Sequence, residues 1–256
     1  MSIATRTIRK MFHLPTARPG ARCLVPERLI SQLIPGPGRI TLITGASGGG
    51  KSRLLQEMKR RDAGAARWID PRTIELPDQP VIDIAARAVP TAGGADAIAA
   101  ALELLSRVGL AEAWTYLQKP ARLSDGQRWR LILALAVAQA KNGKKHGHMQ
   151  EAQQTDDSAA TAIIAMDEFA ALLDRVTAAV VARALRRLTD RSAVLGAVVV
   201  TSHDDLFAAL RPDVHVVCDF GSVRIVHPPS AAAQNSQGRQ RNNRQQNSCD
   251  NQVLLE

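Results

Sequence analysis

Eight consecutive residues carry the most explicit chemistry in the chain. Gly45, Ala46, Ser47, Gly48, Gly49, Gly50, Lys51 and Ser52 fit G-x-x-x-x-G-K-[ST] at every fixed position. Backbone amides can converge on a phosphate chain only where side chains are absent or small, and four glycines with one alanine and one serine meet that need. Lys51 is then placed to bridge β- and γ-phosphates, and the Ser52 hydroxyl to hold Mg²⁺. The bland alternative is a glycine-rich surface turn with a solvated lysine. Against it, Lys51 and Ser52 directly follow the last glycine, and a β-rich apolar run (Ile40, Leu42, Ile43) leads into the first.

A second group is Asp167-Glu168, which ends the apolar run Ala162 to Met166. Two acids at a strand end place Asp167 to hold the Mg²⁺ of a bound nucleotide, directly or through water, and Glu168 to activate water. An ordinary strand end with solvated acids is the competing reading, weakened by the phosphate loop 116 positions earlier (167 minus 51). A third is His203, which closes the run Val198-Val199-Val200-Thr201-Ser202 and alone would mean little. His146 and His148, beside Lys144 and Lys145, read as a solvated loop rather than a metal site.

Positioning these groups requires an α/β chain. The turn cluster Ile34 to Gly38 delivers a strand, Arg39 to Thr44, into the loop, and Ser52 to Arg61 has helical spacing at Leu54, Leu55 and Met58. Ala66 to Asp70 is a short strand candidate. Ala95 to Val108 and Glu112 to Leu117 are helical in period and make a small insert, about 85–125, broken at Gly109 and Pro120. Ser124 opens a helix that is apolar on most faces, and Lys141 to Thr161 reads as a loop. Ala162 to Met166 and Ala197 to Thr201 suit parallel strands covered on both faces, with a helix from Thr177 to Leu188 between them. His215 to Cys218 and Ser222 to Val226 look like a hairpin. The domain should span 1–229, with 230–256 a polar, disordered tail.

With 256 residues the chain can bury a sizeable core, and its richest apolar stretch, Leu131 to Ala140, is too short to cross a bilayer. It therefore should have no membrane insertion of its own. Cys23, Cys218 and Cys249 are odd in number and form no C-x-x-C pair, which fits a reducing cytoplasm. The net charge of +9 is concentrated in residues 1–30, where six cations face Glu27 alone. A nucleic-acid partner and a solvated basic arm both fit that concentration. An organellar transit peptide is a third reading, but its removal would leave too little chain ahead of Ile40 for the strands that normally flank such a loop.

Between the loop and the acids lies Leu123-Ser124-Asp125-Gly126-Gln127. Read from the residues, Ser124 and Gln127 form a capping box and Asp125 suits the first turn of a helix. The stretch also resembles the LSGGQ signature of the ABC-type ATPases (the ATP-binding cassette superfamily), with Asp125 replacing the first glycine. The resemblance covers about residues 22–226. It implies a P-loop NTPase with a parallel-sheet core, a small helical subdomain and an antiparallel β part. It further implies ATP as substrate, Mg²⁺ as cofactor, and a homodimer sandwiching two ATP molecules between the loop of one chain and the signature of the other. Glu168 would polarise the attacking water and His203 would contact the γ-phosphate. Leu173-Asp174 matches the end of the family's D-loop; Phe169 stands where the family usually has proline, which should reshape the turn after Glu168. Gln79 is the candidate for the glutamine that senses Mg²⁺. The aromatic that commonly stacks on adenine has no match, since Phe12 lies far upstream and Tyr116 falls in the insert, which leaves aliphatic contacts such as Val25.

Three functions fit these implications. One is a soluble ABC-type ATPase acting on nucleic acid or another macromolecule, favoured by a resemblance of LSDGQRWRL to stand-alone members, some fused to acetyltransferase-like domains. The others are a transporter's nucleotide-binding subunit and a slow ATP-gated switch. A long coiled-coil chromosome protein is excluded, because only 72 residues (123 minus 51) separate Lys51 from Leu123.

Overall fold

Alternation along three strands builds the sheet. In β1 (Ile40–Gly45), Ile40 and Leu42 face one side and Ile43 the other; β3 (Ala162–Met166) and β4 (Leu195–Val200) alternate in the same way. Every residue of β3 and β4 is buried, as parallel strands covered on both faces require. The computed structural model describes residues 2–12, 25–89, 94–142, 161–171, 173–219 and 222–226. The loop residues His146 and His148 and the tail 230–256 lie outside them.

The six-stranded sheet has the order β2-β3-β4-β1-β5-β6, where β2 is Arg67–Ile69, β5 is Val214–Asp219 and β6 is Ser222–Val226. All pairs are parallel except β5–β6. One face is covered by α3 (Lys51–Asp62) through Leu54, Leu55 and Met58, together with α2 (Glu27–Leu33) through Ile30 and Leu33. The other carries α7 (Asp125–Lys141) and α8 (Arg175–Asp190), onto which α4 (Val81–Ala88) and α5 (Gly94–Arg107) pack. Two short helices, α6 (Ala113–Leu117) and α9 (Phe207–Leu210), complete these layers, and α1 (Ile3–Met11) buries no residue.

Two expectations change. Among the described residues no strand precedes β1: α1 and α2 are helical, and the antiparallel part is the β5–β6 pair alone. Leu29, Ile30 and Leu33 form an apolar face at i, i+1 and i+4, and that face closes the core over α3. The helices of the insert also begin earlier, at Val81, because Pro80 supplies the cap position and Val81, Ile84 and Ala85 are buried. Val25 packs into the same core as Leu54 and Leu55 and so presents no surface to a ligand.

A buried cation ties the sheet to α8. Arg186 Nη1 donates to Asp213 Oδ2 at 3.0 Å and to the Arg211 carbonyl at 3.3 Å, and Nη2 donates to the Gly38 carbonyl. Asp213 Oδ2 also accepts from Ile40 N at 2.8 Å, so one carboxylate sets the starts of β1 and β5. Replacing Arg186 with leucine strands these acceptors; urea denaturation should show a loss of about 3 kcal/mol.

Next to the glycine loop, at the end of β1, His215 Nε2 and Thr44 Oγ1 lie 2.8 Å apart. Burial, and then the Arg224 cation, push the His215 pKa below the ordinary histidine range. Above about pH 6.5 the ring is neutral whether the chain is folded or not; below it the unfolded chain takes up the proton first. The stability that the neutral ring contributes is therefore lost as pH falls through the folded-state pKa. Urea midpoints at pH 7.5 and 5.5 should fall less in His215→Gln than in the native chain, and an equal fall would remove His215 as the cause.

Candidate functional site

Parallel strands bring their C-terminal ends to one edge, and three of those ends make the site. At the end of β1, Gly45 has φ 138° and pairs with Cys218; a Cβ there would sit 1.8 Å from the Cys218 carbonyl oxygen. No other residue fits. The chain then turns through Ala46–Gly49, closed by a bond from Gly49 N to the Ala46 carbonyl at 3.0 Å, and enters α3 at Gly50 with φ 94°. The first amides of α3 have no intrahelical acceptor, and its first turn carries no acid, so this terminus is open to an anion.

Lys51 Nζ donates to the carbonyls of Gly45 at 2.7 Å and Ala46 at 2.8 Å. The ammonium thus rests on the loop it would leave for phosphate. Ser52 Oγ donates to Asp167 Oδ1 at 3.2 Å, joining the start of α3 to the end of β3, and Glu168 N donates to the same oxygen at 3.1 Å. Ser47, Gly48, Lys51, Ser52, Asp167 and Glu168 help line one cleft of about 350 Å³, which Thr201 and Ser202 close from the end of β4. Gly45, Ala46 and Gly49 do not line it. A hydroxyl and a carboxylate oxygen converging at that spacing fit a hard divalent cation that takes its remaining ligands from phosphate and water. Among the described residues no cluster of three or more His, Cys, Asp or Glu offers a protein cage.

Glu168 occupies the left-handed region at φ 56°, and Ala170 does so at φ 63°. Phe169 between them is fully buried; its N donates to the Val200 carbonyl at 2.8 Å, and Thr201 Oγ1 donates to its carbonyl at 3.1 Å. Its ring meets Trp129 of α7 edge to face at a centroid distance of 5.9 Å. Phe169 is therefore a core anchor, and its amide makes a bond that a proline at this position could not. His203, two positions after Thr201, donates from its N to Thr201 Oγ1 at 3.1 Å and does not itself line the cleft.

The signature stretch lies elsewhere on the chain. Ser124 caps α7, accepting from Gln127 N at 3.2 Å, while Gln127 Oε1 accepts from Ser124 N at 3.1 Å, which completes the capping box. Leu123 is buried, whereas Ser124 and Asp125 are exposed. A Cβ on Gly126 would lie 2.7 Å from the Thr177 methyl, so this glycine lets α7 and α8 approach. Asp174 caps α8, with Oδ1 accepting from Val176 N and Thr177 N at 3.0 Å each; hydrogen bonds from Thr177 and Val176 lower its pKa. Neither element lines this cleft of its own chain. Gln79 also stands outside it, its Oε1 accepting from Arg87 Nη1 at 2.6 Å.

One cation at the site was not foreseen. Arg72, in the 3₁₀ turn Pro71–Thr73 after β2, lies 3.9 Å from Asp167 Oδ2 through Nη1. Its bond to Asp70 raises its pKa, with Asp70, Asp167 and Glu168 adding to the effect. Burial pushes Asp70 up, but the Arg72 hydrogen bonds and the Arg72 and Lys59 charges outweigh it and hold the carboxyl low. The only signal in the sequence is an arginine two positions after a strand that ends in aspartate; that this strand pairs with β3 cannot be read from it.

No sequence family matches the chain, and no characterised relative aligns with it. Solved structures do match its shape. The dimeric bacterial ABC transporter cassette MJ0796 superposes with a TM-score of 0.53 at 18% identity, over 77% of this chain and 89% of that one. CbiO1 from Clostridium perfringens, part of the ABC transporter complex cbiONQ, gives a TM-score of 0.52 at 18% identity over 81% and 84%. The fold is that of the ATP-binding cassettes.

The strain at Glu168 has a measurable signature. Glycine adopts positive φ freely and a β-branched residue resists it. Glu168→Gly should melt at or above the temperature of the native chain, and Glu168→Val clearly below it.

Proposed function

We propose that the chain binds and hydrolyses ATP as an ABC-type ATPase, two copies enclosing two nucleotides. The observation that carries this is the 3.2 Å contact between Ser52 Oγ and Asp167 Oδ1, within a cleft that a glycine loop lines on one side and Glu168 on the other. The loop amides and Lys51 would hold the phosphates, and Ser52 and Asp167 the Mg²⁺. The metal, when bound, neutralises charge on the β- and γ-phosphates. Glu168, exposed at its turn, would draw a proton from the attacking water, and His203 would fix that water against the γ-phosphate.

The signature would act across the dimer. Ser124 and Asp125 are exposed and line no part of their own cleft, and the cap fixes Ser124 and Gln127 together, so the signature would present Ser124 and Gly126 to the partner's γ-phosphate. The cassette MJ0796 is dimeric, and one of its structures holds ADP and Pi. In this reading ATP closes the dimer and hydrolysis opens it. Glu168→Gln should lose turnover while still binding ATP, and should elute as a dimer under saturating ATP; a monomer there would end the sandwich reading.

What the cycle drives separates two readings. α1 carries Arg6, Arg9 and Lys10 with no acid and buries no residue, with Arg6 and Lys10 exposed and Arg9 half-buried, which favours a polyanion partner such as nucleic acid. The likeness to CbiO1, part of a transporter complex, favours a nucleotide-binding subunit beside a separate membrane protein, since no helix among the described residues is long and apolar enough to cross a membrane. Steady-state ATP hydrolysis with and without DNA or RNA decides. Stimulation that fades as salt rises supports the nucleic-acid machine; turnover indifferent to both polymers supports the transporter subunit.

A further inference from the structure

Strand β2 pairs with β3 through Ile69↔Ile164, so the turn that follows β2 reaches the sheet edge where β3 ends in Asp167. That turn carries Arg72. Asp70 grips it: Oδ1 accepts from Arg72 N at 3.0 Å and from Nε at 3.2 Å, and Oδ2 accepts from Nη2 at 3.1 Å. The fork is thereby fixed, and Nη1 is left pointing to Asp167 Oδ2 at 3.9 Å. Asp167 Oδ1 already accepts from Ser52 Oγ and Glu168 N.

Each oxygen of the carboxylate thus faces a different donor set. An aspartate carboxylate rotates about a broad, two-fold torsion, so donors on Oδ1 alone would leave its plane loosely defined. A guanidinium held 3.9 Å from Oδ2, an ion-pair rather than a hydrogen-bond distance, biases that torsion through its charge. Because Asp70 balances the Arg72 charge, the pair can orient Asp167 without strongly repelling a divalent cation. Arginine suits this task because its planar fork can meet Asp70 with two nitrogens and still present a third; lysine has one.

We propose that Arg72, anchored by Asp70, is a positioning residue that turns the Asp167 carboxylate toward Ser52 and so prepares the Mg²⁺ site. This rests on the reading of the cleft as a nucleotide site. A bare repelling cation would act in the opposite direction, weakening metal binding, so the sign of a substitution separates the two roles.

The test is binding of a fluorescent ATP analogue to the full chain across a Mg²⁺ titration, for the native protein, Arg72→Gln, Arg72→Lys and Asp70→Asn, each checked for folding by circular dichroism. In Arg72→Gln the Mg²⁺ concentration at half-effect should rise about tenfold, as loss of a partner behind a metal ligand typically does. Asp70→Asn should shift it the same way by less, and it serves if Arg72→Gln does not fold. Nucleotide affinity in EDTA should be unchanged, and Arg72→Lys should not restore the native value. An unchanged or lowered half-effect in Arg72→Gln, or full recovery in Arg72→Lys, overturns the proposal. A native chain whose nucleotide binding ignores Mg²⁺ overturns the reading of the cleft as well; native behaviour with indifferent variants overturns Arg72 alone.

Discussion

The contact between Ser52 and Asp167 spans three strands. Ser52 opens the helix after β1, Asp167 ends β3, and β4 runs between them, so the two side chains meet only if all three strands finish level. Ile43 pairs with Val200, and Met166 pairs with Val199, which gives that level finish. A slip of one residue would turn every side chain to the opposite face. In strands buried on both sides, apolar burial alone penalises such a slip weakly. Directional bonds supply the register: Arg186 and Asp213 at the starts of β1 and β5, Thr201 N to the Ile43 carbonyl at 3.0 Å, and Phe169 N to the Val200 carbonyl at 2.8 Å.

Strain and rest positions cluster at the same edge. Glu168 and Ala170 both hold positive φ, a conformation that costs about 1–3 kcal/mol per residue and persists only where the surroundings fix it. Phe169 between them is buried in the core, and its burial offsets that cost. Across the cleft, Lys51 sits on two loop carbonyls, satisfied without a ligand yet held by bonds that an anion can replace. Asp167 is held by Ser52 and the Glu168 amide and the lysine sits on exchangeable bonds, an arrangement suited to a substrate that must enter and leave.

Much of this was legible from residues alone. The glycine loop, the two acids, the capping box and the strands β1, β3 and β4 follow from spacing and apolar runs, and each is where the pattern places it. The helices α1, α2 and α4 were not foreseen. α2 and α4 are seven and eight residues long, too short for periodicity to stand out, and each starts after a proline that also reads as a turn. Arg72 and Gln79 show a different limit. Both are polar residues after the second strand, but whether either reaches the acids depends on strand pairing, which is a long-range property. Arg72 sits in the turn directly after β2, which pairs with β3, whereas Gln79 lies further along and meets Arg87 instead.

The edge-to-face contact of Phe169 with Trp129 has a bearing on how such a sequence can drift. Trp129 stands two positions after the glutamine that closes the cap of α7, and Phe169 stands next to Glu168. Where a proline would hold the turn by its own ring, here the turn is held by packing against a second helix. A smaller residue at either position opens a void that the other alone cannot fill. An aromatic at 169 therefore needs a large partner at 129, and the two positions can be changed safely only together.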